Sequence, residues 1–142
     1  MYERFHYTIL TDKYDNPTLK KDLAEVINIC QNHNISETFL SFGYKWDVVK
    51  QVRNHYMIPL NQIMNEVEKY EYCNFGMLGK DELFLDFSDM GFYVHYSLYG
   101  DISINFDTIN PIIQDILKNW GKKGWYYKKY DNRSPGNENK TY

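Results

Sequence analysis

The stretch from Leu83 to Phe106 constrains the fold more than any other part of the chain. Leu83, Leu85 and Phe87 alternate with Phe84 and Asp86. After Ser88-Asp89-Met90-Gly91, Phe92, Val94, Tyr96 and Leu98 alternate with Tyr93, His95 and Ser97. After Tyr99-Gly100-Asp101, Ile102, Ile104 and Phe106 alternate with Ser103 and Asn105. A period of two, broken by turn residues, predicts a three-stranded antiparallel meander with one apolar face. A one-residue slip would turn every apolar side chain to the wrong face, so matching the faces sets the register. In the first hairpin Leu85 should face Val94 and Leu83 should face Tyr96. That sets Phe84 opposite His95 and Asp86 opposite Tyr93. In the second hairpin Leu98 should face Ile102, Tyr96 Ile104, Val94 Phe106, Ser97 Ser103 and His95 Asn105. The second face of the meander is then polar and aromatic and carries no Lys or Arg.

The flanking segments read as helices and further strands. Arg4 to Leu10 is aromatic and β-branched, as in a strand. Asn16-Pro17 is a capping residue followed by proline at the first helical position. Leu19, Leu23, Val26, Ile27 and Cys30 then form one helical stripe ending near His33-Asn34. Glu37 to Tyr44 alternates as a short strand. Asp47 is expected to cap a helix bearing Val48, Val49, Val52 and Tyr56, which Pro59 breaks. Leu60, Ile63, Met64 and Val67 predict a second helix to about Tyr70. Two short helices in series suggest a helix-turn-helix. However, Asn61 to Lys69 carries Glu66 and Glu68 and a single basic residue, too few donors for a DNA groove. Asn110-Pro111 repeats the cap-and-proline start, Ile112, Ile113, Ile116, Leu117 and Trp120 form the stripe, and Gly121 is the expected stop. Trp125-Tyr126-Tyr127 fits a last strand or a clamp on the core. The expectation is a single α+β domain over residues 1–130. It comprises an antiparallel three- to five-stranded sheet packed against amphipathic helices, with a disordered polar tail over 131–142.

Charge narrows the function. The 142 residues carry a formal charge of −3 and a mean hydropathy of −0.63, which argues against coating nucleic acid by bulk charge. The balance is uneven: residues 1–121 hold 10 basic and 17 acidic side chains, and residues 122–142 hold six basic and two acidic. From Asp81 to Leu117 there are seven acids and no Lys or Arg. No apolar run reaches the length of a membrane helix, and the first residues have no signal-peptide core, so a cytoplasmic location is expected. Cys30 and Cys73 do not make a disulfide framework.

Chemical motifs are nearly absent. The chain has no HExxH, CxxC, GxGxxG, GxxxxGK or GxSxG pattern, and neither a cofactor nor a metal site is expected. The single acid–base candidate is His95 with Asp86, diagonal neighbours in the predicted register, where a carboxylate could orient an imidazole beside Tyr93 and Asn105. That defines one alternative, a small enzyme. The Lys122-Lys123 to Lys128-Lys129 segment around Trp125-Tyr126-Tyr127 defines another, a nucleic-acid accessory protein using its basic C-terminus.

The plainest account of the meander's polar face is a solvated surface, or one covered by the helix starting at Asn16. The acidic run adds the alternative of an interaction surface. In the acid-only stretch from Asp81 to Leu117 and in Tyr93, Tyr96, Tyr99 and Trp120, the chain resembles the small cytosolic immunity proteins of polymorphic-toxin and contact-dependent growth-inhibition systems. The resemblance implies a non-enzymatic bacterial protein that binds a cognate toxin domain, often a nuclease, and covers its active site. It transfers no functional residue. From the charge and strand pattern, the expected contact residues are Asp86, Asp89, Tyr93, His95, Tyr99, Asp101 and Asn105, on one acidic side of the domain. Neither membrane nor nucleic acid is an expected partner.

Overall fold

A computed structural model of the chain describes residues 5–43 and 55–133, together with the backbone of 46–47, 52–53 and 140–141. The elements run β1 (Tyr7–Thr11), α1 (Asn16–Asn32), β2 (Glu37–Phe42), β3 (Trp46–Asp47), β4 (Val52–Arg53), β5 (Tyr56–Pro59), a 3-10 turn (Leu60–Gln62), α2 (Ile63–Tyr72), β6 (Leu83–Phe87), β7 (Phe92–Tyr96), β8 (Ile102–Phe106), α3 (Pro111–Lys122), β9 (Tyr127–Asp131) and β10 (Lys140–Thr141). The class is α+β. The main sheet is antiparallel and wider than the three to five strands expected, with eight strands in the order β10-β9-β1-β8-β7-β6-β2-β5; β3 and β4 form a separate pair.

The extra width comes from strands whose composition disguises them. β9 reads Tyr-Lys-Lys-Tyr-Asp, yet it pairs with β1 along its whole length. The aliphatic stem of Lys129 lies over aromatic surface, with its Nζ 4.3 Å from the Tyr7 ring centre. The described residues of the region expected as a helix after Asp47 are in strands instead. Asp47 lies in β3, Val52 in β4 and Tyr56 in β5, as the β-branched and aromatic content favours; Val48 and Val49 lie outside the described residues. Among the described residues there is one helix in this region rather than two, and no helix-turn-helix. Of the segment expected as a disordered tail, Asp131 ends β9, and the Asn132 amide donates to Phe5 O and Thr8 Oγ1 at 3.0 and 2.9 Å. Residues 134–139 and 142 lie outside the described residues.

The first hairpin has the predicted register, Leu83 with Tyr96 through Phe87 with Phe92. The second has the predicted face but slips by two residues: Tyr96 pairs with Ile102, Val94 with Ile104 and His95 with Ser103. The cause is the turn. The Ser97 N–H donates to Asp101 O at 2.9 Å and the Gly100 N–H donates to Ser97 O at 3.1 Å, so residues 97–101 are all loop and Leu98 is exposed. Gly100 adopts φ +96, and a Cβ there would lie 2.7 Å from Tyr14 O. Only glycine fits that contact.

All three helices pack on one sheet face. Leu19, Leu23, Val26 and Cys30 of α1, Ile63 and Val67 of α2, and Ile113, Ile116 and Trp120 of α3 join Ile9, Leu40, Leu85, Val94 and Ile104 in one buried cluster. The α1 cap is Asp15, whose carboxylate accepts from the Thr18 N–H at 3.1 Å; the expected cap, Asn16, instead donates its amide to Glu71 and Leu78 O. Asn110 caps α3 through the Ile113 N–H at 2.9 Å, and α3 runs past Gly121 to Lys122. One charge lies inside this layer. Asp22 is fully buried and accepts from Tyr96 OH at 2.8 Å, Trp120 Nε1 at 2.9 Å and Lys123 Nζ at 2.7 Å, joining α1, β7 and the end of α3. Burial pushes its carboxyl above the usual range, against the pull of these three donors.

Candidate interaction face

Among the described residues, no helix packs on the other face of the sheet, so α1 does not cover it. The register sets its side chains in two transverse rows. Met57, Phe39, Asp86, Tyr93, Asn105, Thr8 and Tyr130 run in one row from β5 to β9. Ser41, Phe84, His95, Ser103, Leu10 and Lys128 run in the next. Seven strands at about 4.8 Å spacing make the face roughly 29 Å across.

The centre of the face is aromatic and polar. Phe84 and His95 stack with ring centres 4.1 Å apart and 3° from parallel. His95 turns Nε2 to the carboxylate of Glu82 rather than to Asp86. Asp86 accepts from the Ser88 N–H at 2.8 Å and lies 3.7 Å from His55 Nε2, while the His55 ring packs on Phe39 with centres 4.9 Å apart. The predicted His95–Asp86 pair is therefore replaced by two pairs, His95–Glu82 and His55–Asp86. Tyr93 touches Phe5 and Phe84, and burial together with the Asp86 charge raises its phenol. Towards β1 the face is a hydrogen-bonded strip: Thr8 Oγ1 donates to Asn105 Oδ1 at 2.6 Å and the Asn105 amide donates to Ser103 Oγ at 3.0 Å.

Of the seven residues expected to form one contact surface, Asp86, Tyr93, His95 and Asn105 share this face. Asp89 lies in the β6–β7 turn at one end of the strands. Tyr99 and Asp101 lie in the β7–β8 turn at the other end, where Asp101 helps line a shallow hollow of about 470 Å³ with Lys13, Tyr126 and Lys128. The acids of 81–117 do not gather on one side. Asp115 is on α3 and pairs with His33 at 2.7 Å, Asp107 accepts from the His6 N–H at 2.8 Å, and Asp81 accepts from the Met77 N–H at 2.9 Å. Residues missed by the sequence reading are Glu82, His55, Phe39 and Met57. Glu82 precedes β6 in the same parity as Phe84, and that parity was the available signal.

Among the described residues no group of three or more His, Cys, Asp or Glu could hold a metal ion, and no helix is long and apolar enough to cross a membrane. Compared with family models, curated proteins and solved structures, the chain matches none.

Proposed function

We propose that this chain is a protein-binding inhibitor of the immunity type, acting in the bacterial cytoplasm. It would lay the open face of its sheet over a cognate toxin domain, a nuclease as the resemblance implies, and block it sterically. The observation that supports this reading is the pair of transverse rows, which presents aromatic, imidazole and amide groups on a broad, rigid surface with no described helix over it. Rigid aromatic groups ringed by polar ones are the composition of interface hot spots. At the β5 edge Phe39 is 38% exposed and Met57 45% exposed, so two apolar anchors reach solvent.

The test is protection in a host cell. The toxin domain encoded beside this gene should arrest growth when expressed alone, and co-expression of the wild-type chain should restore it. The double variant Phe39→Asp with Met57→Asp, both at half-exposed positions, should fold and fail to protect. Growth arrest that the wild-type chain does not relieve would overturn the reading.

A further inference from the structure

The geometry points to the β2–β6–β7 corner of the open face as a receptor for an arginine side chain of the partner, with Asp86 and Glu82 as its counter-charges. The inference rests on the reading of this face as a partner-binding surface and names what it recognises. Charge is the first argument. β5, β2, β6, β7 and β8 are consecutive in the sheet and contain no Lys or Arg; the cations of the sheet are confined to β9 and β10. Among the described residues, the basic side chains at this corner are the imidazoles His55 and His95. The side chains of Glu82 and Asp86 reach the surface, at 22% and 14% exposure. A cation approaching here meets two carboxylates, Asp86 in β6 and Glu82 just before it, and no competing ammonium or guanidinium from the five strands.

A second, independent observation is Ser41. Its side chain is 1% exposed, and its Oγ has no hydrogen-bond partner. The register sets it opposite Phe84, diagonal to both Glu82 and Asp86. Buried hydroxyls are normally satisfied, so an unfilled one on the same face as two carboxylates, diagonal to both in the register, is an open hydrogen-bonding position that a donor from a partner can fill. A guanidinium carries five donors in a planar fork, enough for a carboxylate and a hydroxyl together, and its plane suits the flat Phe84–His95 stack. The exposed flanks of Phe39 and Met57 offer apolar surface to the methylene stem. An ammonium has neither the plane nor the fork.

The probe is N-acetyl-arginine amide, titrated into the full chain and followed by backbone amide shifts. Expected are saturating shifts at Ser41, Phe84 and Asp86, weaker ones with N-acetyl-lysine amide, and none with the uncharged citrulline analogue. Asp86→Asn keeps an oxygen for the Ser88 N–H and should weaken the probe by about tenfold, the size of one charge-assisted hydrogen bond. Asp89→Asn, in the turn, should leave binding unchanged. Glu82→Gln is the second variant if Asp86→Asn does not fold. Absent shifts, shifts confined to other strands, an equal response to citrulline, or unchanged affinity in the folded carboxamide variants would overturn the assignment. Protection that depends on Phe39 and Met57 but not on Asp86 or Glu82 would leave the inhibitor reading standing and remove the arginine site.

Discussion

The two faces of the sheet solve opposite problems with neighbouring residues of the same strands. On β7, Phe92, Val94 and Tyr96 point into the helical layer and are fully buried, while Tyr93 and His95 between them are only partly covered. Among the described residues, the helix-facing side buries one charge fully, Asp22, and surrounds it with three donors. The open side holds Asp86, Glu82, His55 and His95 in pairs whose members remain partly exposed. The difference teaches where a change in charge is costly. A charge introduced on the inner face has no partner and no water; on the outer face it has both within reach.

The comparison can be broken most forcefully at adjacent positions. Val94→Asp puts an unpaired carboxylate among Leu85, Ile104 and the helices and should cost several kcal/mol, on the order of half the stability of a domain this size. Tyr93→Lys, one residue away and opposite Asp86, should cost about 1 kcal/mol, the value of the lost aromatic contacts with Phe5 and Phe84. Urea unfolding of the two variants decides the matter, and similar losses would mean the faces are not distinct.

Lys123→Met is next in size. It leaves Asp22 buried without its cation and should cost on the order of 3 kcal/mol at neutral pH. A carboxyl raised by folding holds its proton more tightly in the native state than in the unfolded chain. Stability through Asp22 therefore grows as pH falls and declines as pH rises through the folded-state value. The deficit of Lys123→Met should shrink on acidification from neutral pH, as chemical denaturation across pH would measure. Tyr96→Phe, which removes one neutral donor from Asp22, should cost about 1–2 kcal/mol. The smallest effect is expected for Met57→Ser, half-exposed at the sheet edge, within about 0.5 kcal/mol of wild type by thermal unfolding.

The inner face was legible in the sequence because burial enforces parity. The alternation from Leu83 to Tyr96 and the stripes of α1 and α3 led to the right elements and the right face. A slip of two preserves parity, and so the β7–β8 register was hidden; it depends on the contact of Gly100 with Tyr14, far away in the chain. β5 was hidden because a run of β-branched and aromatic residues also matches a helical stripe, and β9 because lysine stems can cover aromatic rings. On the outer face Glu82 and Asp86 are both diagonal to His95, and parity cannot choose between them. The arrival of His55 beside Asp86, from a segment read as helical, decides which imidazole each carboxylate takes.

The position of β1 has a consequence for biosynthesis. β1, the most N-terminal strand described, is flanked in the finished sheet by β8 and β9, residues 102–106 and 127–131. While α1, β2 and the β6–β7 hairpin emerge, Tyr7–Thr11 has neither neighbour. One of its hydrogen-bonding edges closes once β8 has been made, and the other only after β9. Non-local closure of this kind slows folding. A nascent chain arrested after α3 would keep one side of β1 open, a site at which two unfinished copies could pair.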